Sequence, residues 1–127
     1  FKNNRPEAMA ELIRLSFKQN MAKKNLADSI NIYMPEDFSK RNAALRYLFK
    51  DLASYDFYPL LPGITTPTLI ICGAQDVGLL FADKIQQTIP SARISRMDNS
   101  GHFPFIEQPL EFKQEVVKFV SSLPIRN

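Results

Sequence analysis

The chain holds one histidine, His102, in the stretch Asn99-Ser100-Gly101-His102-Phe103-Pro104-Phe105-Ile106-Glu107-Gln108-Pro109. An imidazole in a tight polar turn is a candidate general base, because its ring exchanges a proton near neutral pH. To work as one it needs a carboxylate on Nδ1, which fixes the tautomer and stabilises the imidazolium as it forms; Nε2 is then left to take a proton. Asp76 is the candidate carboxylate. It stands just past the apolar run Thr68–Cys72 and Gly73, and His102 stands just past the run Ala92–Met97. Two parallel strands would release both loops at the same edge of a sheet, which is where such sheets bind ligands. Distance along the chain is then no obstacle to contact. Asp98 is the rival carboxylate for His102, and its place in Asp98-Asn99-Ser100-Gly101 reads as a turn.

The elements that must position this pair follow from the pattern of apolar residues. Asn4 can cap a first helix, with Glu7 three residues on and Met9, Leu12, Ile13 and Phe17 at helical spacing. Asn25 to Glu36 lacks a period and reads as a connection with a short helical turn. Ser39 to Ala53 carries Leu45, Leu48, Phe49 and Leu52 on one stripe. Both helices are expected to pack on other helices. Tyr55 to Thr66, with its prolines and Gly63, is expected to be irregular.

Thr68–Cys72 reads as a strand buried on both faces of a parallel sheet. A helix from Leu80 to Ile89 follows, with Ala82, Ile85 and Ile89 inward and Pro90 as its stop. Ala92–Met97 is a second strand, and Arg93, Ser95 and Arg96 make it polar enough to sit at an edge. From Pro109 a last helix places Phe112, Val116, Phe119, Val120 and Leu123 on one face. Strand, helix, strand, helix predicts a right-handed βαβ unit with a closing helix, part of an α/β sheet. Two strands alone are a small sheet.

Here the sequence resembles a known family. "PTLIICGAQD", a helix, a strand and then "DNSGHFPFIEQPLEF" are similar to the C-terminal third of an α/β-hydrolase, over about Ile64 to Leu123. The resemblance lies in Gly73-Ala74-Gln75-Asp76 for a G-x-x-D turn, in Ser100-Gly101-His102, and in Glu107-Gln108-Pro109-Leu110-Glu111-Phe112. It implies that Asp76 is the triad acid and His102 the triad base. It also implies a fold class: the C-terminal βαβα portion of an α/β-hydrolase parallel sheet, preceded by lid-type helices, an incomplete domain. Residues 1–60 would be the remnant of a helical lid and 61–127 the C-terminal part of the core. The closing motif looks most like the proline iminopeptidase group. The loop after Asp76 is shorter than in many relatives and lacks their proline.

The family's nucleophile, a serine in G-x-S-x-G, has no match. The chain has four glycines, at 63, 73, 78 and 101, and none brackets a serine or cysteine in that way. Ser100 reads as a turn former, and Cys72, inside a strand, as an inert buried thiol. No segment offers an oxyanion hole. The chain opens on Phe1 rather than Met, so the reading is a fragment whose natural start has been removed, inactive alone. The parent would hydrolyse an ester, amide or peptide bond, with no cofactor and no metal.

Composition narrows the rest. Hydrophobic residues make up 45% and charged residues 23%, with 16 basic and 13 acidic side chains for a net charge of +3; this is the balance of a globular domain. The basic pairs Lys23-Lys24 and Lys40-Arg41 lie beside helical patterns and read as solvated faces, so no nucleic-acid stripe is expected. With one Cys and one His, a zinc site of the usual kind would need ligands from a partner chain. No apolar run approaches the ~20 residues of a membrane span, and no signal peptide is apparent, so no membrane partner and a cytoplasmic location are expected.

Glu107 reads as a first-turn carboxylate favoured by the helix dipole. Phe57, Phe103 and Phe105 would either line a pocket or pack in the core. If the parent is an aminopeptidase, a lid carboxylate such as Glu36 or Asp37 is a candidate for the substrate's ammonium group. Two other readings differ in class. One is a non-catalytic interaction module derived from this fold. The other is a homodimer formed through the sheet edge.

Overall fold

The computed structural model describes residues 5–124. Phe1 and the proposed cap Asn4 lie outside the described residues. The helix starts at Pro6, whose missing N–H suits a first turn, with Arg5 extended before it and no side-chain cap. This helix, α1, spans Pro6–Asn20 and is followed by a 3₁₀ turn, Lys24–Ser29. The turn packs back on α1. Met9, Ile13 and Phe17 are half-buried and Ala10 is buried, whereas Leu12 is exposed.

A second helix, α2, spans Phe38–Leu52, and a second 3₁₀ turn, Tyr58–Gly63, lies in the proline-rich stretch. Helix α2 departs from expectation. None of its residues is buried, and its stripe of Leu45, Leu48, Phe49 and Leu52 is exposed. The helical period is there, but the described residues bring no apolar face against it.

Strand β1, Thr68–Gly73, and strand β2, Ala92–Met97, pair in parallel, with Thr68 opposite Ala92 and Gly73 opposite Met97. Between them helix α3, Leu79–Thr88, packs on both strands and on the second 3₁₀ turn. Ile89 is buried, and Ala82 and Ile85 are half-buried, as their spacing predicts. A four-residue helix that the sequence reading did not foresee, α4, spans Pro104–Glu107 and leads into α5, Pro109–Ser121. Phe112, Val116 and Phe119 of α5 are half-buried, whereas Val120 is exposed.

Burial on both faces of β1 is corrected by the structure. Leu69, Ile70 and Ile71 are only half-buried, and the strand is buried only at its carboxyl end, Cys72 and Gly73. The sheet among the described residues has two strands, so both β1 and polar β2 have an unpaired outer edge there. Arg96 of β2 pairs with Asp83 of α3.

The tightest part of the molecule is the carboxyl edge of the sheet. Cys72, Met97, Ser100 and Glu107 are buried there, with Met97 and Ser100 fully so. A Cβ on Gly73 would lie 2.1 Å from the Gly101 carbonyl oxygen and 2.2 Å from that of Ser100. Both obstacles are backbone and cannot swing aside. Replacing Gly73 by Ala should therefore cost about 3 kcal/mol or more, the upper end of overpacking. Replacing Met97 by Ala should cost about 2–5 kcal/mol by opening a cavity. Urea midpoints at constant m-value check both, and a Gly73→Ala protein as stable as the wild type would contradict this packing.

Candidate active site

Asp76 and His102 meet at this edge. His102 Nδ1 lies 3.0 Å from Asp76 Oδ2 and 3.2 Å from Oδ1. The Gly78 N–H donates to Asp76 Oδ1 at 2.8 Å, which holds the carboxylate from behind. The short loop thus supplies its own support: the Asp76 N–H donates to the Gly73 carbonyl, and the Leu79 N–H to the Asp76 carbonyl as α3 begins. Asp76 therefore both shapes the turn and faces the imidazole. Its side chain is 12% exposed against 56% for that of His102. Nε2 has no hydrogen-bond partner among the described residues.

The two loops are also joined through their backbones. The Ala74 N–H donates to the Met97 carbonyl at 2.9 Å, extending the strand ladder by one rung, and the Gln75 N–H donates to the Ser100 carbonyl at 3.0 Å. The Gln75 amide reaches the Asp98 carbonyl at 3.3 Å. Asp98 is a turn residue here, and the imidazole nitrogen faces Asp76.

The histidine loop is also held from α1. The His102 N–H donates to the Asn20 carbonyl at 2.8 Å, and a Cβ on Gly101 would lie 2.3 Å from the same oxygen. The Phe103 ring packs on Phe17, centroids 4.6 Å apart, and meets the imidazole edge-on at 5.1 Å. Of the three aromatic candidates, Phe103 thus packs, while Phe105 and Phe57 are exposed by more than half. Phe57 packs on Tyr55 with its ring tilted, centroids 4.3 Å apart. Asp37 bonds Arg41 at 2.8 Å, and that guanidinium holds its carboxyl below the usual range. It is a surface ion pair.

Glu107 is the residue that sequence reasoning underrated. Rather than opening the last helix, it closes the unforeseen four-residue helix α4, and it is 2% exposed. Its Oε1 accepts from the Gly101 N–H at 2.8 Å, the Ser100 hydroxyl at 3.3 Å and the Phe103 N–H at 3.4 Å. Its Oε2 accepts from the Lys23 N–H at 2.9 Å. Ser100 is fully buried and spends its hydroxyl on this carboxylate and on the Gly101 carbonyl. The available signal was position: a carboxylate a few residues from a glycine turn can return to that turn's N–H groups.

No family model matches the chain. It is 26% identical over 126 residues to monoacylglycerol lipase ABHD6 of Rattus norvegicus, an alignment covering 93% of this chain and 36% of that protein. It is 25% identical over 111 residues to the pimeloyl-[acyl-carrier protein] methyl ester esterase of Aromatoleum aromaticum, covering 86% and 44%. An α/β fold family hydrolase from Bacillus anthracis superimposes with a TM-score of 0.73 at 21% identity, over 94% of this chain and 44% of that one. The chain has the α/β-hydrolase fold. It spans less than half the length of these relatives, in keeping with a partial domain and a small parallel sheet. No helix among the described residues is long and apolar enough to cross a membrane.

Cys72 does not compete for the chemistry. Burial pushes its thiol above the ordinary range, so the thiolate is scarce at neutral pH. Because burial penalises the thiolate, Cys72 costs nothing while the thiol is neutral in both states and destabilises the fold as pH rises past the unfolded thiol's pKa toward the higher folded one. Thiol reagents at pH 7 should modify the native chain slowly and the urea-unfolded chain at once. Rapid native labelling would reverse this assignment.

Proposed function

We propose that this chain is part of a serine hydrolase in which Asp76 is the triad acid and His102 the triad base. One observation supports the reading above the others: the carboxylate of one strand-end loop faces Nδ1 of the only histidine at 3.0 Å. With Nδ1–H donating to Asp76, Nε2 is the bare nitrogen and points the base at whatever hydroxyl approaches it. That hydroxyl is a serine outside these 127 residues. Nε2 takes its proton as the oxygen attacks the carbonyl carbon, and Asp76 stabilises the resulting imidazolium. His102 returns the proton to the leaving group, and an acyl-enzyme remains. Water clears it with His102 again as base.

The bond cleaved is an ester. The two curated relatives are named for lipase and esterase chemistry, which favours an ester over the amide or peptide bond of a proline iminopeptidase-like enzyme. Residues 1–60 then form the cap and 61–127 the end of the core. The chain alone, without nucleophile or oxyanion hole, is inactive.

In a longer protein carrying this chain, Asp76→Asn should lower kcat by about 10⁴, through the wrong tautomer. His102→Ala should lower it by about 10⁶. A fluorophosphonate should label that protein once, with labelling suppressed in both variants, while the 127-residue chain takes no label. A folded longer protein that resists the reagent, or a His102→Ala variant that keeps its turnover, would end the proposal.

A further inference from the structure

We infer that Glu107 is a positioning residue for the His102 imidazole, acting through the backbone on both sides of it. The inference rests on the proposed pairing of Asp76 with His102 and adds a second carboxylate with a different task. Glu107 is 2% exposed, and its carboxylate contacts no cationic side chain among the described residues. Lys23 sends its ammonium group to the Glu107 backbone carbonyl, at 2.7 Å. Every hydrogen bond to the carboxylate comes from an N–H or O–H donor, so both oxygens act purely as acceptors. A packed core would not need a buried carboxylate, which is costly to place there. Service to the N-terminus of α4 accounts only for the bond from the Phe103 N–H.

Two acceptor oxygens held at a fixed separation supply what an apolar side chain cannot. Oε2 takes the Lys23 N–H, and Oε1 takes the N–H groups of Gly101 and Phe103, the residues flanking His102. The N–H of His102 itself goes to Asn20, three residues before Lys23. Three consecutive N–H groups, 101 to 103, are thus fixed to a frame made of Asn20 and Glu107, and Lys23 ties Glu107 to the same segment as Asn20. With its peptide groups pinned on both sides, His102 keeps only its side-chain torsions, and Asp76 selects among those. A misplacement of 1 Å at a reacting group costs about 10²-fold in rate, so this frame fixes a distance that the exposed imidazole cannot fix for itself.

The single histidine makes the test direct. In ¹⁵N-labelled 127-residue chain, the two ring nitrogens of His102 report the tautomer without overlap. The wild type should show a protonated Nδ1 and a bare Nε2 in the neutral ring. Asp76→Asn should abolish that preference, and if it does not, the pairing itself fails. Glu107→Gln keeps the shape, but its amide has one oxygen. In either orientation an NH₂ faces an N–H donor, from Lys23 or from Gly101. Glu107→Gln should retain the amide spectrum of β1 and α3, speed amide exchange at Gly101 and Phe103 several-fold, and lower the ratio of Nδ1–H to Nε2–H tautomer several-fold. Faster exchange with an unchanged tautomer ratio would make Glu107 a structural residue only and overturn the inference, while leaving the pairing intact. Should Glu107→Gln not fold, Glu107→Asp, which keeps the charge but falls short of one side, carries the same readings. If neither variant folds, Glu107 is a folding residue and the inference is overturned.

Discussion

Backbone packed directly on backbone at the carboxyl edge of the sheet governs everything that happens at His102. Gly73 ends β1 against the carbonyls of Ser100 and Gly101, and Gly101 presses on the carbonyl of Asn20. Three chain segments thereby pass at distances that leave no space for a Cβ at either glycine. At that range peptide N–H groups and carbonyls must be paired, since unpaired ones shielded from water are costly. Gln75 to Ser100 and His102 to Asn20 are two such pairs. The contact between Asp76 and His102 follows from this stacking, because both side chains leave backbone whose position is already set.

Much of this was legible in the residues. The run Thr68–Cys72 specifies a strand through apolar, β-branched content and Ala92–Met97 through its partial alternation between turn signals, and a parallel pair can only release its following loops at one edge. Asp76 and His102 are therefore neighbours by topology before any side chain is considered. What escaped was tertiary. The spacing of Leu45, Leu48, Phe49 and Leu52 gives a helix with one apolar face, but spacing carries no information about what covers that face. The middle of β1 reads as doubly buried for the same reason: an apolar run reports the environment a strand is suited to, and among the described residues only β2 flanks it. Glu107 escaped differently. A carboxylate near a helix start satisfies a local rule, and its real partners, Lys23 and the 101–103 turn, converge only after folding.

The exposed parts have a common origin. Half-covered Leu69, Ile70 and Ile71, the bare α2 stripe and the outward imidazole all belong to a chain that matches less than half of its relatives. The buried part is the portion whose contacts are all internal to these residues. A partial sheet loses burial at its strand centres before it loses burial at a loop cluster knotted by its own hydrogen bonds, which explains why the carboxyl edge is its best-packed region. An exposed imidazole also sits in a high dielectric, where a carboxylate partner is worth less than in a dry site. The pairing seen here is held by geometry first and by charge second.

The two carboxylates near His102 divide the work according to their surroundings. Asp76 accepts one backbone N–H bond, from Gly78, keeps part of its side chain in solvent, and offers both oxygens to the imidazole. Glu107 is surrounded by peptide groups and a hydroxyl, so under the proposed mechanism its environment would stay constant while His102 takes and returns a proton. A carboxylate that stabilises a forming imidazolium must face it directly. A carboxylate that holds a loop must face groups that never titrate. Exchanging the roles would fail on both counts: Glu107 directs its oxygens to Lys23 and the 100–103 turn, and Asp76, with a shorter side chain and one backbone N–H partner, cannot span from the histidine turn to Lys23. Neither residue can therefore stand in for the other, although they differ by only one methylene.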